Sequence, residues 1–132
     1  MAGKRMYSNW MVAVAEAGGR ALSRSVLEST GFRVTLARNG AEAIELLAGP
    51  DSFDLMTLDY LMDRMNGLRV LQSVRANPRH RDLPVIMVTG ADDRRIEMSL
   101  FEAGADDFVV KPIDAPLFTL RIQAVLRRRQ LR

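Results

Sequence analysis

Residues 53–59 read Phe-Asp-Leu-Met-Thr-Leu-Asp, a largely apolar run that ends in an acid. Similar runs lie at 10–15, Trp-Met-Val-Ala-Val-Ala, and at 84–88, Pro-Val-Ile-Met-Val. A short apolar run without alternation is typical of a strand that is buried on both faces of a sheet. Amphipathic segments with helical spacing separate these runs along the chain. The alternation of the two patterns predicts an α/β protein with a parallel sheet.

Five strand–helix units can be traced in this way, with glycine, proline or asparagine closing most of them. Right-handed crossovers leave few topologies, and we expect a doubly wound, flavodoxin-like (βα)5 fold with strand order 2-1-3-4-5. In such a sheet a site lies at the carboxyl ends of the strands. The predicted strands are 10–15, 33–37, 53–58, 84–88 and 108–110, and the predicted helices are 20–30, 41–48, 68–76, 92–103 and 115–129.

Length and composition are those of one ordinary globular domain. The chain has 132 residues, of which 48% are hydrophobic and 27% charged. We expect a single domain over residues 1–132, with a core from about residue 10 to about residue 129. The absence of cysteine excludes disulfides and thiolate metal sites. No apolar run is long enough to cross a membrane, so we expect a cytoplasmic protein without membrane association.

Positive charge is concentrated at the C-terminal end of the chain. The net charge is +3, but residues 121–132 contain five arginines and no acid, so the rest of the chain carries a net charge of −2. The arginine run at 127–129 fits either a nucleic-acid patch or the last turn of a helix, whose dipole favours cations. Aromatic residues do not interleave these arginines, which favours the helix end. We therefore expect no direct nucleic-acid binding.

Three different polar residues follow the last three predicted strands: Asp59, Thr89 and Lys111. Each alone is also common as a turn residue, a strand end or a cation at the rim of a sheet. Because the carboxyl ends of parallel strands meet at one edge, we expect a carboxylate, a hydroxyl and an ammonium to converge there. Their coincidence after three apolar strands indicates a functional site.

The segments around these residues resemble the receiver domains of bacterial response regulators. Residues 54–62, followed by Gly67, resemble the phospho-acceptor segment, and residues 85–91 resemble the strand that carries the switch threonine. Residues 104–112 are similar to the lysine–proline segment of these domains. The match runs in the same order and spacing from about residue 10 to about residue 129, which is far more specific than any single motif.

The resemblance implies a role for each polar residue. Asp59 would be the nucleophile that takes a phosphoryl group as an acyl phosphate, since carboxylates can act in this way. Lys111 would pair with the carboxylate and with the phosphoryl oxygens. Thr89 would donate its hydroxyl to the phosphoryl group and move toward it, and Phe108 matches the aromatic residue whose rotation accompanies that movement.

Small residues and a proline also match the family. Gly90 matches a position where a small residue leaves room for the phosphoryl group. Gly67 matches a position where a Cβ obstructs the backbone. The bond between Lys111 and Pro112 matches a peptide that is cis in the family, a form that X–Pro bonds adopt at low cost.

One part of the family's pattern is depleted. Receivers carry two adjacent acids after the first strand, which help to hold Mg²⁺, whereas residues 12–19 read Val-Ala-Val-Ala-Glu-Ala-Gly-Gly. Without a gap, Val14 and Ala15 occupy the acidic positions. A one-residue deletion in the loop would instead place Glu16 at the second position, and Glu16 also fits an exposed loop acid.

The metal site is therefore expected to be weakened. The resemblance implies that Mg²⁺ would be held by Asp59, by Glu16 in the favourable register and by the backbone carbonyl of Leu61. Mg²⁺ is usually bound by one or two carboxylates together with water and phosphate oxygens, so losing an acid weakens its binding. Asp63 stands where the family usually has proline, either adding negative charge near the metal or lying in a solvated turn.

Two functions follow from these features. The leading hypothesis is a two-component receiver that accepts a phosphoryl group on Asp59 from a histidine kinase or a phosphotransfer protein and then switches a partner-binding face. The alternative is a degenerate receiver that serves as a phosphorylation-independent interaction module, which the depleted acids favour. The fourth helix, fifth strand and fifth helix resemble the face through which many receivers form homodimers. Acids at 106–107 and Arg121 would form reciprocal salt bridges in such a dimer.

An enzyme on the same fold is a third class, and the motifs speak against it. A dinucleotide-binding enzyme needs a G-x-G-x-x-G turn after the first strand, which residues 18–19 do not supply. No Walker-type Gly-Lys-Ser/Thr sequence is present. Leu61 stands where an aspartyl phosphatase has a second acid, and His80 has no partners for a catalytic triad. We therefore expect that the protein is not an enzyme.

Overall fold

A computed structural model describes residues 9–13, 31–61, 66–90 and 94–130, which form five strands and four helices. The helix predicted at 20–30 lies outside the described residues, as do Glu16 and Asp63. The strands are β1 (Asn9–Ala13), β2 (Arg33–Ala37), β3 (Leu55–Asp59), β4 (Val85–Thr89) and β5 (Asp107–Val110), and the helices are α1 (Gly40–Ala48), α2 (Gly67–Ala76), α3 (Arg94–Glu102) and α4 (Ala115–Gln130).

The strands form one sheet in the order β2-β1-β3-β4-β5, and every neighbouring pair is parallel. The predicted α/β class with a parallel sheet is confirmed. Every residue of β3 and β4 is buried, which explains their nearly continuous apolar sequences. Both strands end one residue later than predicted, because Asp59 pairs with Val88 and Thr89 pairs with Val110. The acid and the hydroxyl are therefore the last residues of their strands.

Two apolar clusters cover the two faces of the sheet. Successive residues of β3 belong to different clusters, since Leu55 packs with α4 and Met56 packs with α1, α2 and α3. This alternation follows from the two-residue period of a strand. Burying one large apolar side chain contributes about 1.5–3 kcal/mol, so the clusters hold the helices onto the sheet. The cluster on the α4 face includes the buried helix residues Phe118, Ile122, Val125 and Leu126.

Asparagine side chains cap the N-termini of α1 and α2. The Asn39 Oδ1 atom accepts the Glu42 N–H at 2.8 Å, and the Asn66 Oδ1 atom accepts the Arg69 N–H at 3.0 Å. Each bond satisfies one of the free N–H groups in a first helical turn. As a result, α1 starts at Gly40 and α2 at Gly67, one residue before each predicted start.

Arg75, at the end of α2, forms a network of hydrogen bonds at the amino-terminal ends of β4 and β5. These strand ends lie opposite the carboxyl ends that carry Thr89 and Lys111. Its guanidinium donates to the Gly104 carbonyl at 3.0 and 2.8 Å and to the Leu83 carbonyl at 2.6 Å, and it pairs with Asp106 at 3.0 Å. The same Asp106 oxygen accepts the Val85 N–H at 2.9 Å. These bonds connect the end of α2 with the starts of β4 and β5. Both side chains are largely buried, so the network is shielded from solvent.

Gly67 lies against the backbone at the end of β3. Its N–H donates to the Tyr60 carbonyl at 2.8 Å. A Cβ at this position would lie 2.5 Å from the Asp59 carbonyl oxygen and 2.8 Å from the Tyr60 Cα. By contrast, the nearest atom to a Cβ at Gly90 would be the Lys111 Cδ at 4.0 Å. Only the first glycine therefore lets two backbone segments approach closely.

Replacing Gly67 with alanine is expected to destabilise the protein by about 1–3 kcal/mol, because the new methyl group would force backbone atoms apart. This is opposite in sign to the usual benefit of alanine in a helix. The matched Gly90→Ala variant should stay within about 0.5 kcal/mol of the original protein. Urea denaturation measures both, and equal stability of the two variants would contradict the packing argument.

Candidate functional site

Asp59 is a nearly inaccessible carboxylate at the carboxyl edge of the sheet, with 1% of its surface exposed. Its Oδ2 atom accepts a hydrogen bond from the Lys111 Nζ at 2.8 Å, and its Oδ1 atom accepts the Leu61 N–H at 3.3 Å. A buried charge is costly unless it is paired and hydrogen-bonded. The ammonium therefore stabilises this carboxylate in its charged form, in which it can act as a nucleophile.

Backbone bonds beyond the strands bring the three polar residues to one edge. The Tyr60 N–H donates to the Val88 carbonyl, and the Lys111 N–H donates to the Thr89 carbonyl, both at 2.8 Å. Thr89 is fully buried, whereas 26% of the Lys111 side chain is exposed. The carboxylate, hydroxyl and ammonium thus occupy neighbouring strand ends, as their positions in the sequence predicted.

Phe108, near the start of β5, contacts an aromatic ring on α3. The Phe101 and Phe108 ring centroids are 5.4 Å apart and the ring planes are inclined by 65°, an edge-to-face arrangement. Phe108 is partly buried against the core, whereas Phe101 is 48% exposed. The residue that resembles the family's mobile aromatic is therefore held from one side by a second aromatic residue.

Three other residues named by the resemblance, Pro112, Gly90 and Leu61, follow the ends of strands at the carboxyl edge of the sheet. The peptide bond between Lys111 and Pro112 is cis, as the resemblance predicted. Gly90 leaves open space beside Lys111. Leu61 follows Asp59 with 64% of its surface exposed.

The acids proposed for a dimer interface are bonded within the chain. Arg121 on α4 donates from its Nη1 atom to both carboxylate oxygens of Asp107, at 3.1 and 3.0 Å. Asp106 forms its ion pair with Arg75. Both acids thus form ion pairs with arginines on helices of the same chain, and the reciprocal salt bridges between two copies stay a prediction. The same face exposes several large apolar residues: Met98, Phe101, Val110, Leu117 and Leu120.

A magnesium ion would find one carboxylate at this edge within the described part of the chain. Among these residues no group of three or more acids or histidines could enclose a metal. Asp59 provides a carboxylate, and the loop after it provides backbone carbonyls. This donor set fits an ion that keeps most of its water and uses phosphate oxygens, which is the usual behaviour of Mg²⁺. Glu16, the predicted second acid, lies outside the described residues.

The family of the chain follows from comparison with known proteins. The model of the response regulator receiver domain matches residues 16–123. The chain belongs to this family. That result confirms the resemblance found in the sequence and places the chain among the signalling modules of two-component systems, whose receivers interact with histidine kinases.

Individual relatives of this receiver domain are similar over most of its length. The transcriptional regulatory protein SrrA of Staphylococcus aureus is 36% identical over 111 residues, covering 84% of this chain and 44% of that protein. The probable transcriptional regulator ycf27 of Cyanidium caldarium is 36% identical over 113 residues, covering 86% and 44%. The receiver domain therefore spans less than half the length of these relatives.

A solved structure supports the same fold. The signal receiver domain of a signal transduction histidine kinase from Syntrophus aciditrophicus superposes with a TM-score of 0.82 at 28% identity. The superposition covers 91% of this chain and 90% of that one.

No helix among the described residues has both the length and the apolar character needed to cross a membrane.

The contacts of two residues, Phe101 and Arg75, were not predicted from the sequence. Phe101 was read as part of an amphipathic helix, and helical spacing gives no sign that it meets the ring of Phe108. Arg75 was read as an ordinary helix residue, although it is bonded to a carbonyl 29 positions further along the chain. A cue for Arg75 was available in Gly104, because a helix followed by glycine leaves space for another side chain to approach.

Replacing Lys111 with methionine should lower the free energy of unfolding by about 2–4 kcal/mol, because the buried carboxylate of Asp59 would lose the ammonium that pairs with it. Adding Asp59→Asn should recover most of that loss, since an amide carries no uncompensated charge. The control Arg38→Met removes an exposed ion pair with Glu42 and should cost no more than about 0.5 kcal/mol. Denaturation curves compare the variants, and an unrelieved loss in the double variant would refute the charge argument.

Proposed function

We propose that this receiver domain accepts a phosphoryl group on Asp59 from a histidine kinase or a phosphotransfer protein and thereby switches a partner-binding face. The observation that carries the proposal is the 2.8 Å pair between the Asp59 carboxylate and the Lys111 ammonium. It keeps a nucleophile charged and places a cation where the phosphoryl oxygens would arrive. The domain acts as a signalling module and not as an enzyme.

The reaction uses groups from neighbouring strand ends. A carboxylate oxygen of Asp59 attacks the phosphorus atom, and a new O–P bond forms as the bond to the donor's leaving group breaks. The Lys111 ammonium offsets the negative charge on the phosphoryl oxygens, and the Thr89 hydroxyl donates a hydrogen bond to one of them. The open space at Gly90 accommodates the group.

A magnesium ion, when bound, would neutralise charge on the phosphoryl oxygens. Asp59 and the backbone carbonyl of Leu61 would hold it, together with Glu16 if the loop after β1 adopts the favourable register. With at most one acid of the family's pair present, we expect weaker magnesium binding than in a receiver with both acids.

The switch depends on Thr89, Phe108 and α3. As Thr89 turns toward the phosphoryl group, Phe108 moves and α3 repacks, which changes the face formed by α3, β5 and α4. A phosphoryl group shifts such an equilibrium only through contacts that differ between the two conformations. In this proposal residues 1–132 form one (βα)5 receiver domain, and homodimerisation through the switched face is one of its outputs.

Incubation with acetyl phosphate and Mg²⁺ should add one phosphoryl group to the protein, with acetate as the leaving group. Intact-mass spectrometry should detect the adduct, and the Asp59→Asn variant should not form it. Lys111→Arg, which keeps a cation, should slow the reaction, because guanidinium and ammonium differ in shape and donor geometry. An absence of adduct at high donor concentration would favour the phosphorylation-independent interaction module, and an adduct that persists in Asp59→Asn would place the acceptor elsewhere.

The magnesium dependence of that reaction distinguishes the two registers of the loop. If Glu16 is a ligand, Glu16→Gln should raise the Mg²⁺ concentration for half-maximal rate about tenfold or more, since even outer-shell changes have effects of this size. Glu45→Gln, which changes an exposed acid on α1, is the control and should leave the dependence unchanged. Identical curves for Glu16→Gln and the original protein would assign the acidic positions to Val14 and Ala15.

A further inference from the structure

Phe101 has a large aromatic side chain that the core does not require. On α3 the buried residue is Leu100, whereas Phe101 is 48% exposed. Its ring nevertheless makes an edge-to-face contact with Phe108 at 5.4 Å. Such pairs are attractive beyond the area they bury, because the positive edge of one ring faces the negative face of the other.

We propose that Phe101 is a positioning residue that holds the Phe108 ring against α3 and thereby sets how readily Asp59 is phosphorylated. The inference rests on the proposed function above and adds a regulatory element to it. Phe101 acts through Phe108 and touches neither the acceptor nor the phosphoryl group.

The coupling follows from the geometry of β5. Phe108 lies three residues before Lys111, whose N–H is bonded to the Thr89 carbonyl at 2.8 Å. In the proposed switch the Phe108 ring turns toward Thr89, and we infer that this turn separates it from the Phe101 ring. The pair therefore favours the conformation described here over the one that the phosphorylated domain adopts.

Linkage then fixes the direction of the effect. A contact present in only one conformation disfavours any reaction that needs the other, and the same factor applies in both directions. The energy of an edge-to-face pair corresponds to about a two- to tenfold shift in such an equilibrium. Loss of the Phe101 ring should accordingly raise the rate of phosphorylation by about this factor.

The experiment uses the full chain, acetyl phosphate as donor, and four variants. Phe101→Leu removes the aromatic edge but keeps an apolar side chain. Gln72→Ala is the control, because Gln72 is exposed on α2 and lies outside the face formed by α3, β5 and α4. Phe108→Leu, alone and combined with Phe101→Leu, completes a double-mutant cycle. Aromatic NMR of the Phe108 ring reports the loss of the ring contact directly.

The expected result is a phosphorylation rate about two- to tenfold higher in Phe101→Leu, with a shifted Phe108 ring resonance, and an unchanged rate in Gln72→Ala. In the Phe108→Leu background the effect of Phe101→Leu should disappear. An unchanged rate in Phe101→Leu, or an equal increase in the Phe108→Leu background, overturns the inference while leaving Asp59 as the acceptor. If no variant forms an adduct, the proposed function fails and the inference fails with it.

Discussion

The carboxylate of Asp59 is almost completely removed from water, and the Lys111 ammonium 2.8 Å away offsets its charge. Removing one partner of a buried ion pair leaves an uncompensated charge and strongly destabilises the fold. The residues around this edge therefore have to hold both groups in place. The backbone does so through bonds that continue the sheet beyond the last strand residues. Gly67 permits the close approach of α2 to the carbonyl of Asp59, because a Cβ there would lie 2.5 Å from that oxygen.

The opposite edge of the sheet provides the second constraint. The guanidinium of Arg75 joins the end of α2 to the segments that lead into β4 and β5. These two strands carry Thr89 and Lys111 at their other ends. Because parallel strands are rigid over a few residues, fixing where they start also fixes where their functional ends lie. A network far from the acceptor thus contributes to the geometry around it.

Two further features of this receiver domain are the charged groups expected around the phosphoryl group and an aromatic contact on α3. In the proposed function at most one acid of the family's pair follows β1, and Lys111 supplies a cation beside the phosphoryl group. On the side of α3, Phe101 and Phe108 form an edge-to-face pair. A weak metal site slows the reaction in general, whereas an aromatic contact biases one conformation over another. Both features would act on the phosphorylation of Asp59, the metal site at the phosphoryl-transfer step and the aromatic contact through the conformational equilibrium that precedes it.

The sequence by itself determined the α/β class, the parallel sheet and the candidate residues Asp59, Thr89 and Lys111. These follow from apolar runs that end in polar residues, and such patterns depend on the two-residue period of a strand and the 3.6-residue period of a helix. Only the tertiary structure decided which side chains meet over long separations, such as Arg75 with Asp106 and Phe101 with Phe108. It also showed that Asp107 pairs with Arg121 on α4. Local periodicity says which face of an element is buried, but not which residue of another element lies opposite it, because that depends on how whole helices pack onto the sheet.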